Sequence, residues 1–262
     1  MQLTIFKFVN EQKTFPKKIT RQNYYSFSQL EAFQTCPLQY KYRYILGLPS
    51  PPTAASSFGS SIHNALLKFY REFKRNKKVG FERLLEIFEK EWIPLGYSSL
   101  AHEERMKKTG RELLKDFWKN FHRQDIEIVD LERFFKIKIG DYVIAGKIDR
   151  VDKLLKGLEI IDYKTGKKPD EKFLKKSLQL TIYALAATDP HLYNKKIDEI
   201  TLTFYYLTEP EKISFKKTEK ELKEAKEKIL KTIKEIEKGE FKPNVGPWCD
   251  FCPFKIMCEE WQ

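Results

Sequence analysis

The sequence predicts an α/β protein, and two features of its apolar pattern predict it. Apolar residues recur at helical spacing over 54–76, 81–92, 103–122, 172–187 and 218–238, and they follow a strand pattern over 126–164 and 201–207. The stretch on which the rest is organised runs from Gly146 to Lys164: Gly-Lys-Ile-Asp-Arg-Val-Asp, a short break, then Leu-Glu-Ile-Ile-Asp-Tyr-Lys. It reads as two apolar-rich strands joined by a turn near Lys156 and Gly157.

In chain order, residues 1–25 are polar and aromatic and predict an edge strand followed by a loop. Ser28-Gln-Leu-Glu31 predicts a helix opened by a capping box, with Ser28 as N-cap and Glu31 reaching back. Cys36-Pro37 breaks or kinks that helix, and Leu38 to Leu46 continue it with Tyr40, Tyr42 and Tyr44. Leu48-Pro-Ser-Pro-Pro52 is a loop. From Ala54 to about Asn76, Phe58, Ile62, Ala65, Leu66, Phe69 and Phe73 form a helical stripe. His63 flanks the stripe one turn beyond Gly59, a residue whose missing side chain lets another backbone or a phosphate approach. By itself, such a histidine reads as structural.

Two further amphipathic helices, 81–92 (Leu84, Leu85, Phe88) and 103–122 (Leu113, Leu114, Phe117), make a helical insertion over residues 77–125. From Ile126 to Lys164 the pattern predicts a three-stranded meander, in which Glu132 reads as a surface residue. The helix Lys172–Ala187 puts Gln179 and Tyr183 at i and i+4, with Tyr183 readable as ordinary core. Thr201–Leu207 is a strand central or next to central, and the Lys/Glu-rich helix 218–238 turns Leu222, Ile229, Leu230, Ile233 and Ile236 inward. The tail from Phe241 is a turn-rich loop with Trp248, Phe251 and Phe254 as apolar anchors. No internal repeat is present, and Thr165-Gly-Lys-Lys168 lacks the upstream glycine and the Ser/Thr of a P-loop, which argues against an ATP-driven motor.

With 262 residues and 41% hydrophobic content, the chain can build one large domain over 1–262. Lys plus Arg exceed Asp plus Glu by 49 − 37 = 12, which suggests a polyanionic partner, nucleic acid first, unless the lysines only solubilise the surface. No apolar run approaches a membrane span, and the N-terminus lacks a signal-peptide pattern, so a cytoplasmic protein is expected. In that compartment four cysteines argue for metal or cluster ligation rather than disulfides.

Residues two apart on a strand share a face, which groups Leu158, Ile160, Asp162 and Lys164, and likewise Val143, Ala145, Lys147, Asp149 and Val151. Asp149 and Asp162 thus interrupt apolar rows. Two carboxylates on neighbouring strands can hold a hard divalent cation such as Mg²⁺, whose retained water is a potential nucleophile, with Lys164 placed to orient it. The alternative is a hairpin whose Asp and Lys pair at a solvated edge.

Phe58-Gly59-Ser-Ser-Ile-His63, Gly146-Lys-Ile-Asp149, Asp162-Tyr-Lys164 and Gln179-Leu-Thr-Ile-Tyr183 occur in an order and spacing that resembles the PD-(D/E)XK nuclease superfamily. The similarity is to its RecB-like branch, which includes the nuclease domains of RecB and AddB and CRISPR-adaptation nucleases, and it covers roughly residues 26–258. Each motif is weak alone and the four together are specific; the helical insertion is longer than in the compact CRISPR members. The resemblance implies a restriction-endonuclease-like mixed sheet flanked by helices. It implies that His63, Asp149, Asp162 and the carbonyl of Tyr163 are ligands of Mg²⁺ or Mn²⁺, that Lys164 positions the water, and that Gln179 and Tyr183 orient Lys164 or the DNA phosphate.

The resemblance extends to the iron–sulfur members of the branch, with Cys36 before the core and Cys249, Cys252 and Cys258 after it implied as ligands of a [4Fe–4S] cluster. Residues 241–262 together with Cys36 would form that segment, and four cysteines suit a structural Zn²⁺ equally. The implied activity is a metal-dependent deoxyribonuclease, an exonuclease acting on DNA single strands or duplex ends in repair, recombination or defence. A CRISPR spacer-acquisition nuclease and a non-catalytic DNA-binding subunit of a helicase–nuclease complex are the alternatives. Helicase or CRISPR-adaptation proteins are the corresponding partners.

Overall fold

The computed structural model describes residues 24–261, so the expectation for residues 1–25 falls almost wholly outside the described residues. The first element is a short strand, β1 (Tyr25–Ser26), followed at once by α1 (Phe27–Thr35). The capping box is Ser26–Gln29, not Ser28–Glu31: Ser26 Oγ accepts from the Gln29 amide at 3.3 Å, and the Ser26 amide donates to Gln29 Oε1 at 2.7 Å. Ser26 is still extended, at φ −117° and ψ 162°, because it is pinned in the sheet. The helix therefore starts two residues before the equally plausible serine.

Cys36 interrupts the helix, and α2 (Pro37–Tyr40) runs into a π-turn over Lys41–Ile45. The long α3 (Ala54–Arg75) is capped by Thr53; α4 (Phe81–Glu91) and α5 (Leu100–Phe121) follow. The predicted meander is β2 (Ile128–Ile139), β3 (Tyr142–Lys153) and β4 (Leu158–Lys164). Next come α6 (Glu171–Lys175) and α7 (Leu178–Thr188), two helices where one was expected. Ser177 divides them, its hydroxyl accepting from the Leu180 amide. The remaining elements are β5 (Ile200–Tyr206), an unanticipated short β6 (Glu211–Phe215), and α8 (Glu219–Lys238), capped by Thr218 and closed by a left-handed Gly239.

The six strands form one mixed sheet in the order β1-β3-β4-β5-β6, with β2 also paired to β3. The pairs β1–β3 and β4–β5 are parallel, and the others are antiparallel. This is the restriction-endonuclease-like α/β architecture. One face packs α1, α7 and α8 over Ile148, Ile160 and Leu202; the other packs α3, α4 and α5 over Ile161, Tyr163 and Tyr205. Strands β4 and β5 are buried on both faces, which is why they read as near-continuous apolar runs. The insertion helices thus close one layer: Phe88 and Phe117 are 0% and 1% exposed, each such burial contributing roughly 1.5–3 kcal/mol. Among the described residues no helix is long and apolar enough to cross a membrane.

Candidate active site

Strand β3 is the spine of the site. β2 pairs with it from Tyr142 to Asp152, so β1 and β4 must share its other edge, β1 beside Ile144 and Ala145 and β4 beside residues 150–153. Among the described residues, no strand lies beside 146–149 on that side. Asp149 and Asp162 stand where the β3–β4 pairing stops, one step beyond Arg150 and Ile161. Gly146 is required here because a Cβ would lie 2.6 Å from the Phe135 ring. An open cleft of about 660 Å³ occupies the gap, lined by His63, Asp149, Asp162, Lys164, Gln179 and Tyr183 among others. All of the predicted nuclease-site residues are therefore brought together.

Asp149 Oδ2 accepts the Tyr163 amide at 3.0 Å and lies 3.4 Å from His63 Nδ1. His63 reaches it because α3 packs tightly against the loop after β4: a Cβ on Gly59 would sit 3.0 Å from Thr165 Oγ1. The His63 ring meets Tyr163 edge-on, with centroids 6.0 Å apart. Asp162 Oδ1 accepts from Gln179 Nε2 at 2.7 Å and lies 3.1 Å from the Tyr183 hydroxyl. That hydroxyl also lies 3.0 Å from the Lys147 carbonyl, so its single proton serves one acceptor or the other. Lys164 Nζ donates to Gln179 Oε1 at 2.8 Å. It also stands 2.6 Å from Asp162 Oδ2, an ion-pair contact without hydrogen-bond direction, which leaves that buried oxygen with no donor.

Burial, then the neighbouring charge of Asp162, holds the Asp149 carboxyl well above the usual carboxylate range. Burial pushes the His63 imidazole down, against the pull of Asp162, which favours the neutral ring that a metal needs. Burial, then the Asp162 charge, raises the Tyr183 phenol, which keeps it a hydrogen-bond donor. Two carboxylates and a largely neutral imidazole on one cleft are the donor types that a hard divalent cation takes. Among the described residues, however, no group of three or more His, Cys, Asp or Glu side chains is placed to hold a metal ion.

Two features were not read from sequence. Arg150, 1% exposed, grips Asp152 through Nε at 2.8 Å and Nη2 at 2.5 Å, donates to the Tyr163 hydroxyl at 2.9 Å, and lies over the Tyr70 ring at 4.3 Å. It thereby anchors the residue whose amide holds Asp149; the available signal was an Arg and an Asp two apart on an otherwise apolar strand. Glu132 is not the surface residue expected. Its backbone is left-handed (φ 51°), its carboxylate pairs with Lys147, and its side chain is 18% exposed.

Far along the chain, Cys36, Cys249, Cys252 and Cys258 line a common pocket with Tyr42 and Phe254. Two of the sulfurs accept backbone N–H groups, Cys36 from Asn244 and Cys249 from Gly246, each at 3.4 Å. Burial pushes the Cys252 thiol up. Of the three expected anchors, Phe254 is buried against Tyr42, whereas Trp248 is 39% and Phe251 88% exposed. Phe251 does not anchor the tail.

Comparison with known proteins adds the following. Residues 24–259 match the family model of the PD-(D/E)XK nuclease superfamily. The Gene 69 protein of Mycobacterium phage L5 is 24% identical over 284 residues, covering 89% of this chain and 95% of that protein. The crystal structure of a "Putative exonuclease" from Eubacterium rectale superposes with a TM-score of 0.54 at 15% identity, over 88% of this chain and 87% of that one, a likeness of fold. That of SSO0001 aligns over 100% and 98% at 16% identity, but its TM-score of 0.42 carries no weight. With nearly the whole described chain matched by the family model, and the carboxylates, lysine and histidine gathered at one cleft, the chain belongs to the PD-(D/E)XK nuclease superfamily.

Proposed function

We propose that this protein is a Mg²⁺- or Mn²⁺-dependent DNA exonuclease of the RecB-like branch. The observation that carries the reading is the meeting of Asp149, Asp162, His63 and Lys164 on one cleft, with Asp162 Oδ2 paired to the Lys164 ammonium at 2.6 Å. His63, Asp149, Asp162 and the Tyr163 carbonyl would hold the metal. When bound, a divalent cation supplies Lewis acidity toward the scissile phosphate and acidifies a water nucleophile. The chain's own residues do the rest. Gln179 fixes Asp162 and Lys164 together, Tyr183 donates to Asp162 or to the Lys147 carbonyl of β3, and Lys164 presents an ammonium to the nucleophile or the phosphate. The name of the Eubacterium rectale neighbour agrees with exonuclease action, and the net charge of +12 suits DNA. End-labelled single- and double-stranded DNA incubated with Mg²⁺ or Mn²⁺ should be shortened progressively from an end. No cleavage with either metal by folded protein defeats the reading.

A [4Fe–4S] cluster on Cys36, Cys249, Cys252 and Cys258 belongs to the same proposal. It is supported by four sulfurs on one pocket and by N–H donors to two of them, the hydrogen bonding that suits thiolate ligands. The cluster would staple residues 241–262 to α1 within a single domain that includes the insertion 77–125. Anaerobically purified protein should be brown and carry close to four irons; one zinc and no iron would replace the cluster with a structural zinc site. Repair, recombination or defence is the setting such an enzyme serves.

A further inference from the structure

Among the residues that line the cleft, two large aromatic side chains are left in solvent. Tyr24 is 44% and Phe134 53% exposed, and both line the cavity that holds Asp149, Asp162 and Lys164. Isolated surface aromatics are ordinary; these two are bridged by a cation. Lys136 Nζ lies 5.7 Å from the centre of each ring. Phe134 and Lys136 share one face of β2, and Phe134 sits directly opposite Lys147 on β3, two residues before Asp149. Tyr24 adjoins β1, whose Tyr25 pairs with Ile144. A row of two aromatic rings with an ammonium group between them therefore adjoins the cleft that holds the carboxylates.

Such a row matches an unpaired polynucleotide, which offers a π-face and a phosphate at every step. A duplex keeps its π-faces inside the stack and cannot use the rings. We propose that Tyr24 and Phe134 stack an unpaired nucleobase of the strand being cleaved, that Lys136 holds an adjoining phosphate, and that the platform selects unpaired DNA for the cleft. The proposal deepens the nuclease reading and rests on it for the identity of the strand.

The test measures binding without divalent metal and cleavage separately with it. Fluorescence anisotropy with labelled oligo-dT should show Tyr24→Ala and Phe134→Ala each weakening binding about 5- to 150-fold, the range for loss of one base–aromatic stack. Affinity for a duplex of equal length should change less than about twofold. Lys136→Ala should make the dependence of log affinity on log salt shallower by about 0.7, one single-strand phosphate. An oligonucleotide of abasic units should bind wild type more weakly and the aromatic variants no more weakly than wild type. Phe134→Trp should restore binding. Equal weakening on abasic and normal strands, unchanged oligo-dT affinity in the variants, or no single-strand binding by wild type would each overturn the platform. Wild-type protein that binds through the platform and cleaves nothing upholds the platform and sinks the nuclease reading; cleavage with unaltered variants does the reverse.

Discussion

The cleft and the cysteine tail are both places where charged or thiol side chains gather, yet they are built in opposite ways. In the cleft, Asp162, Gln179, Lys164 and Tyr183 are linked by hydrogen bonds of 2.7–3.1 Å and project from a doubly buried strand and an apolar helix. Among the described residues the tail has only 3₁₀ turns, at Pro247–Phe251, Lys255–Met257 and Glu259–Trp261. It is tied back by a few bonds, including Tyr42 Oη to the Met257 carbonyl at 3.2 Å and Asn244 Nδ2 to the Thr35 carbonyl at 2.8 Å. A metal at the first place would act on a scaffold that the core already holds; at the second, its binding free energy would be folding free energy.

The sharpest way to break that contrast is Asp162→Asn. It should reduce cleavage by more than the roughly 10–100-fold that losing an outer-shell partner costs, while the melting temperature stays close to wild type. Near-normal turnover in a folded sample would remove Asp162 from the chemistry. Gln179→Ala comes next, with a loss of about 10–100-fold, because it frees both Asp162 and Lys164. Cys258→Ser should show the opposite signature: a melting temperature lower by about 5–10 °C, with specific activity per folded molecule largely kept. His63→Ala should lower activity with partial recovery in excess Mn²⁺; an unchanged specific activity with reduced stability would return His63 to a packing role.

The smallest effect lies inside the insertion. His122 stacks on Trp118 at 3.8 Å, and burial, then the charge of Arg150, holds its pKa at about 4, below the ordinary 6.5. Folding therefore favours the neutral ring. Its contribution is complete above pH 6.5 and is lost as pH falls from 6.5 toward 4. His122→Phe should flatten the fall of melting temperature across that window by a few degrees; an identical slope would exclude His122 as its source.

What could be read from sequence follows the length of each signal. The stripe of α3 and the alternation of β3 run for many residues, and the four motifs fall in a fixed order, so the sheet, His63, Asp149, Asp162, Lys164, Gln179 and Tyr183 were all foreseeable. β6 is five residues with two lysine or glutamate positions at its start, too short to carry a period. The choice between Ser26 and Ser28 depended on where β1 releases the chain, a tertiary constraint. Arg150 showed in the sequence only its spacing to Asp152 on the same strand, because its other partners, Tyr70 and Tyr163, come from segments that only packing unites. Phe251 failed as an anchor because aromatic residue type does not say which face of a turn meets the protein.

The interrupted pairing of β3 has one more consequence. A strand edge left open ordinarily invites a foreign strand to add to it, the first step of edge-to-edge aggregation. Among the described residues the open window is 146–149, bounded by β1 on one side and β4 on the other, and an intruding strand would have to displace one of them. The protein can thus keep main-chain polar groups of its central strand facing the cleft, with the Lys147 carbonyl met by Tyr183, and remain guarded against self-association through that edge.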